Sequence, residues 1–376
     1  MLNLHQLAST NFMLRKATNI EKGSIIFLEH ESSVLKNNPL GDPDVRSFPV
    51  YLPWQYNAPR SKYKKFPVLF DLAGFTGSGP GRISWKNFEE SLPERLDRLI
   101  SRNKLTPCIV VFPDCFTSLG GNQYVNSKAI GQYADYLTQE IIPFVDNLFR
   151  TFASREHRGC LGKSSGGYGA LVHGMKYPEH WGAIGSHAGD AYFEFVYKTE
   201  WPKVLTHLQH FQPSKNERPS AYAKSRLLNK GYDDGRIANF LETIKDRSSP
   251  SSDDVMTLMM LAMAASYDPD LKAPNNFRVP YNLETGDFIS VRWSKWLAHD
   301  PINLASKHHS NLKKMKAIYI DCGYRDQFHI HFGARQLSKV LTSKKVPHIY
   351  EEFNGTHSGI DHRLDVSLPY LSKHLL

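Results

Sequence analysis

A chain of 376 residues, 41% hydrophobic and 12% aromatic, can bury a sizeable core and fits a single α/β domain carrying an insertion. It holds no run of about 18 apolar residues, which argues against a membrane-spanning helix. The formal charge of +9 raises nucleic acid or acidic lipid as partners, but the basic residues fall into small separate groups with acids between them. Lys62, Lys64 and Lys65, then Arg95, Arg98 and Arg102, then Lys313, Lys314 and Lys316 lack interleaved stacking aromatics, so they read as a solvated surface without a nucleic-acid partner.

The segment Met1–Leu7 lacks a basic start followed by a continuous apolar stretch and is not read as a signal peptide. Residues 1–22 form an N-terminal segment. Strand-like runs follow at Ser24–Glu29 and Phe48–Leu52, expected at a partly antiparallel edge. The continuous apolar runs Pro67–Leu72 and Cys108–Phe112 read as central strands buried on both faces. Apolar residues at Ile130, Tyr133, Leu137, Ile141, Val145 and Leu148 keep helical spacing and predict a helix over 130–149. A short strand, His157–Gly162, leads into a small-residue helix, Tyr168–Met175. Strands at Gly182–Ser186, Ala317–Cys322 and Ile349–Phe353 alternate with helices over Ala334–Leu341 and from Leu364 onward. This alternation predicts an α/β fold with a mostly parallel central sheet flanked by helices. Cys108, Cys115, Cys160 and Cys322 lie in or at the ends of these strands without metal-ligand spacing. Free thiols in a reducing compartment follow, with a cytoplasmic location, no metal and no cofactor.

Residues 191–311 break the alternation. They are rich in Lys, Ser, Asn and Asp, carry the cluster Ser248–Ser252, and hold one strongly apolar helix, Val255–Ala264. An insertion between two strands, over their C-terminal ends, reads as a large cap or lid. Its methionines read as packing rather than as the lining of an acyl pocket. Residues 23–190 and 312–376 then form the catalytic domain.

Gly162-Lys163-Ser164-Ser165-Gly166 fits the G-x-S-x-G nucleophile elbow between a strand and a helix. The small residues two before and two after Ser164 allow the sharp turn that lifts its hydroxyl above the sheet. Gly162-Lys163-Ser164 also ends like a phosphate-binding G-x-x-x-x-G-K-[ST] loop, but His157 occupies the first glycine position and that reading fails. A serine nucleophile needs a base and an acid to orient it, in the chain order Ser, Asp, His. Asp326 follows the strand Ala317–Cys322, and His357 lies in the loop Asn354–Gly359 after the strand Ile349–Phe353. Asp321 falls inside its strand and His362 starts the last helix, so both fit less well. The N–H groups of Ser165 and Phe75, the latter in the loop Ala73–Gly79, are the expected oxyanion donors. His187 and Asp190, just past another strand end, are candidates for substrate contact. His329 and His331 read as surface or pocket histidines.

Several motifs occur together in a fixed order: Tyr51-Leu52-Pro53, Gly74-Phe75, Val111–Asp114, Gln132–Pro143, Gly162–Gly167 and Gly355-Thr356-His357. In these the chain resembles the putative-esterase family of α/β-hydrolases, which includes S-formylglutathione hydrolases, enterochelin esterases, feruloyl and acetyl-xylan esterases and mycolyltransferases. The resemblance spans roughly residues 25–190 and 312–376. It implies the α/β-hydrolase fold and hydrolysis of a small-molecule ester or thioester through an acyl-serine. Two departures stand out. The oxyanion loop begins Ala73-Gly74 where the family more often has His-Gly, and the insertion is larger than compact members carry. An acyltransferase using the same triad, or a silent binding protein with this fold, are the alternative readings. Homo-oligomer formation is left open by the sequence.

Overall fold

The fold is taken from a computed structural model that describes residues 19–214 and 220–376. Most of the expected N-terminal segment 1–22, including the stretch Met1–Leu7, lies outside the described residues. Eight strands form one sheet: β1 Ser24–Glu31, β2 Val45–Leu52, β3 Val68–Leu72, β4 Ile109–Val111, β5 Arg158–Lys163, β6 Ala183–His187, β7 Ala317–Gly323 and β8 Ile349–Phe353. Their spatial order is β1-β2-β4-β3-β5-β6-β7-β8. β2 is antiparallel to β1 and β4, and every neighbouring pair from β4 to β8 is parallel. The expected parallel sheet with an antiparallel edge is what the structure has.

The helices that matter for the site are α1 Leu92–Ser101, α2 Ser165–Lys176, α3 Trp201–Leu208, α4 Arg236–Lys245, α5 Ser252–Tyr267, α6 Ser290–Leu297, α7 Pro301–Leu312, α8 Ile330–Ser343 and α9 Leu364–His374. Because side chains alternate along a strand, each central strand feeds two cores. Leu69, Val110, Leu161 and Tyr319 pack with α1 and α9 on one face. Phe70, Val111, Cys160 and Ile320 pack on the other, where α2 lies. All four cysteines are free and buried.

The helix expected over 130–149 starts later and is not uniform. Gly131 and Gln132 pair with Asn126 and Ser127 in a small antiparallel ladder, so helical structure begins at Tyr133. Residues Tyr136–Ile141 then form a wide π turn before an α-helix over Ile142–Leu148. Pro143 explains the widening: it has no N–H to donate, and its ring crowds the carbonyl four residues back.

The region between β6 and β7 is helical, and much of it is tied into the main core. Helix α5 starts at a capping box in which Ser251 and Asp254 bond reciprocally. Its second half is buried from Met260 to Tyr267. Tyr267 meets Trp296 at 5.4 Å between ring centroids and Tyr197 at 6.1 Å, and Trp296 meets Trp201 at 5.9 Å. Helix α7 lies against α2, with Asn311 donating to the Met175 carbonyl at 2.8 Å. It therefore belongs to the layer that flanks the sheet. These contacts tie the second half of α5 into the core. No helix among the described residues is long and apolar enough to cross a membrane.

Candidate active site

Strand β5 ends at Lys163 and α2 begins at Ser165, so Ser164 alone makes the turn. It does so at φ 56°, ψ −123°, a conformation that costs an L-residue energy and persists only where the surroundings impose it. Two glycines impose it here. A Cβ on Gly162 or on Gly166 would overlap the Leu72 carbonyl of β3, so no larger residue lets the two backbones come this close. The Ser164 N–H donates to the His187 carbonyl at 3.0 Å, and its carbonyl accepts from Tyr168 at 2.8 Å.

His357 and Asp326 come from loops that are stitched together. The N–H of Tyr324 donates to the Phe353 carbonyl and that of Arg325 to the Gly355 carbonyl, each at 3.0 Å. Asp326 Oδ2 lies 2.7 Å from His357 Nδ1, and Oδ1 accepts from the Phe328 N–H at 2.9 Å. The backbone of His357 donates to Gln327 Oε1 at 3.0 Å, and Phe328 stands edge-on to the imidazole at 4.9 Å between centroids. Burial raises the Asp326 carboxyl, but the His357 contact and the N–H groups of Phe328 and Ile330 outweigh it. The net result is a carboxyl held below its ordinary value and ionised at neutral pH.

The loop Ala73–Gly79 runs beside the elbow. A Cβ built on Gly74 would sit 3.6 Å from Ser164 Cβ. The Ala73 carbonyl accepts from Tyr124 Oη at 2.6 Å and the Phe75 carbonyl from the Gly121 N–H at 2.8 Å. The Gly74 carbonyl, in the same peptide as the Phe75 N–H, accepts from the Gly77 N–H at 2.9 Å, so this peptide is held from within the loop and on both sides. Ser165, as the first residue of α2, carries one of the N–H groups that a helix cannot satisfy internally.

Ser164, His357, Phe75 and Asp190 line one cavity of about 630 Å³. Val255, Met256 and Met259 of α5, with Val196, Phe328 and Ile330, give it an apolar wall. The methionine run therefore divides: Met260 and Met263 are buried in the core, whereas Met256 and Met259 face the cavity. Packing alone, the sequence expectation, accounts for half of it. A second, open groove of about 610 Å³ adjoins through Thr76 and Gly77 and is lined by Asp42, Arg46, Asp114 and Ser118.

Asp190 is 4% exposed. Its Oδ2 accepts from Tyr197 Oη at 2.7 Å, while Ser165 Oγ stands 3.4 Å away. Ser164 Oγ reaches Oδ1 at 3.4 Å, longer than an ordinary O–H···O bond. Burial raises the Asp190 carboxyl against the Tyr197 hydrogen bond, which lowers it. Behind it, Ser165 Oγ accepts from Gln123 at 2.7 Å, and Gln123 accepts from Tyr267 Oη at 3.1 Å. This network links the elbow to α5, and nothing short-range in the sequence marks Gln123, Tyr197 or Tyr267 for it.

His187 is not brought to the cavity. It is the last residue of β6, and the alternation of the strand turns its ring toward α9, away from Ser164. There Nδ1 lies 2.7 Å from Asp321 Oδ1 and Nε2 lies 2.8 Å from Ser367 Oγ. Both ring nitrogens are thus engaged, and of the two residues expected to touch substrate only Asp190 lines the cavity. His329 caps α8 and His331 lies in its first turn, 6.5 Å apart between ring centroids; neither lines the cavity. Arg95 and Arg98, read as solvated, pair with Glu90 and Asp365 and are largely covered.

A family model described as "Putative esterase" matches residues 43–366. The endo-1,4-beta-xylanase/feruloyl esterase of Xylanibacter ruminicola is 28% identical over 160 residues, covering 42% of this chain and 21% of that protein. S-formylglutathione hydrolase of Paracoccus denitrificans is 28% identical over 162 residues, covering 38% of this chain and 51% of that one. The chain thus matches about a fifth to a half of the length of these curated relatives. Among solved structures, a ferulic acid esterase superposes with a TM-score of 0.58 at 16% identity, covering 95% of this chain and all of that one. An S-formylglutathione hydrolase from Agrobacterium tumefaciens gives 0.54 at 16% identity, covering 97% and 99%. These likenesses show the α/β-hydrolase fold.

Proposed function

Because the chain belongs to the putative-esterase family, we propose that it is a serine carboxylesterase acting through an acyl-serine intermediate, with Ser164, His357 and Asp326 as the triad. The observation that carries this reading is the strained elbow. Ser164 stands at φ 56° in the same cavity as His357, whose Nδ1 is already committed to Asp326. That commitment leaves Nε2 as the nitrogen able to take a proton.

In the first half-reaction Ser164 Oγ attacks the ester carbonyl carbon as its proton passes to His357 Nε2. The oxygen of the tetrahedral intermediate takes the charge and is held by the N–H groups of Ser165 and Phe75. Each such donor contributes about 3 kcal/mol of transition-state stabilisation. Asp326, ionised, stabilises the imidazolium and keeps its tautomer. Collapse breaks the C–O bond, and the alcohol leaves with the proton from His357 through the open polar groove beside Thr76. Water then gives a proton to His357 and attacks the acyl carbon. Ser164 departs, recovers that proton, and the carboxylic acid is released. The acyl chain lies along Met256, Met259 and Phe328, an adaptable apolar wall.

Hydrolysis of p-nitrophenyl esters of increasing acyl length, by wild type and Ser164→Ala in parallel, tests the proposal. The expected result is turnover by wild type and a loss of roughly 10⁴-fold or more in kcat for the variant, with unchanged thermal unfolding. Turnover retained by Ser164→Ala would refute the triad.

A further inference from the structure

Asp190 supplies a buried carboxyl oxygen to the cavity that the proposed reaction leaves without a partner. Its Oδ2 is satisfied by Tyr197 Oη at 2.7 Å. Its Oδ1 has, among the described residues, only the Ser164 hydroxyl at 3.4 Å. Attack on an ester takes that hydroxyl's proton to His357, and in the acyl-enzyme Ser164 Oγ is an ester oxygen that cannot donate. The buried Oδ1, which that long contact satisfies poorly, then has no donor at the step where the barrier lies. A buried acceptor stripped of its donor is disfavoured, so a substrate that brings its own donor is favoured in the transition state.

Proximity places that donor. In the proposed reaction the oxyanion is held by the N–H groups of Ser165 and Phe75 and the leaving oxygen takes its proton from His357, so the acyl chain is the part free to turn toward Asp190, which lines the same cavity as Val196, Tyr197 and Met256. Oδ1 already lies 3.4 Å from Oγ, so a group on the α-carbon is the part of an acyl chain that reaches it first. Val196, Met256 and Met259, which line the same cavity, offer a hydroxyl or ammonium no strong side-chain acceptor.

We infer that Asp190 is a specificity residue that selects acyl groups bearing a hydrogen-bond donor, a hydroxyl or an ammonium, on the carbon next to the ester carbonyl. The inference rests on the esterase reading and names the substrate class of that site. The raised Asp190 carboxyl bears on which donor is preferred. A neutral acid serves a hydroxyl as well as an ammonium, whereas a carboxylate favours the cation.

The test uses matched p-nitrophenyl esters of butanoate, 2-hydroxybutanoate and 2-aminobutanoate, with each kcat/KM divided by the rate constant for hydroxide-catalysed hydrolysis of the same ester. Wild type is expected to favour at least one of the substituted esters over butanoate by about 10- to 100-fold. In Asp190→Ala that ratio should collapse toward unity. Asp190→Asn, which keeps an acceptor but no charge, should retain a 2-hydroxy preference and lose a 2-amino preference. Each ratio is internal to one variant, so a general loss of activity or stability does not move it. Ratios near unity in wild type, or an unchanged ratio in Asp190→Ala, would overturn the inference while leaving the esterase intact. Absence of turnover on all three esters, together with failure of a fluorophosphonate to label Ser164, would overturn the esterase reading and this inference with it.

Discussion

Among the described residues, two arrays of Ser, His and Asp share the same His–Asp distance. His357 lies 2.7 Å from Asp326, and His187 lies 2.7 Å from Asp321. The second array even has its serine in place, Ser367 Oγ at 2.8 Å from His187 Nε2. Only the first opens onto a space that could hold a substrate, about 630 Å³ against the roughly 10 Å³ beside His187. Ser367 is fully buried within α9, and Asp321 also accepts from Arg363 at 2.8 Å and Tyr319 at 3.1 Å. Arg363 bonds Glu351 in the middle of β8 too, tying the segment after His357 to the sheet. A His–Asp distance therefore does not distinguish a site from a strut. A strained serine, an uncommitted Nε2 and room for a substrate do.

Substituting the two aspartates should separate the arrays most sharply. Asp326→Asn should lower kcat by roughly 10⁴-fold, because an amide can hold His357 in the wrong tautomer. Asp321→Asn should act on stability instead. It leaves the covered Arg363 guanidinium short of its counter-charge and should cost about 3 kcal/mol of stability, while kcat of the folded fraction stays near wild type. Steady-state kinetics paired with urea unfolding of both variants checks this. A kcat loss in Asp321→Asn as large as that in Asp326→Asn would erase the proposed distinction.

That contrast was only partly legible in the sequence. The elbow was readable because its logic is local: glycines two residues either side of Ser164, with a strand before and a helix after. Asp326 and His357 followed from chain order and from their places just past strand ends. His187 misled for a reason that strand geometry explains. It is in register with Lys163 and Asp321, and all three are the residues of their strands that face α9. Sequence marked the strand's end but not which way its last side chain turns. Gln123 and Tyr267 were invisible because they meet across 144 residues of chain, whereas Tyr197, only seven residues from Asp190, sits in no motif that marks a partner. The insertion's size was plain, yet its anchoring by buried aromatic side chains was not.

Acid titration sharpens the comparison further. Burial raises the Asp321 carboxyl, but His187 and Arg363 outweigh it and hold it below its ordinary value. A carboxyl with a depressed folded-state pKa contributes stability that is fully present above its unfolded value, about 3.9. That stability is lost as pH falls through the folded-state value. The unfolding free energies of wild type and Asp321→Asn should accordingly differ most above about pH 4 and converge below it. A gap that stays constant into strong acid would mean that charge is not what Asp321 supplies.

The smallest expected effect belongs to Ser367, and it completes the contrast with Ser164. Ser367→Ala removes a neutral hydroxyl and leaves His187 Nε2 buried without its partner, which costs about 1–3 kcal/mol. Turnover should not fall, because nothing reaches Ser367 from the cavity. Ser164→Ala removes an equally small group from a position that carries strain for the sake of exposure, so it should cost turnover and no stability. One atom deleted from each array thus moves opposite observables, read by kcat on a p-nitrophenyl ester and by the urea midpoint. If Ser367→Ala lowered kcat without lowering the midpoint, the buried array would have to be coupled to the reaction, through the hold that Arg363 keeps on the segment following His357.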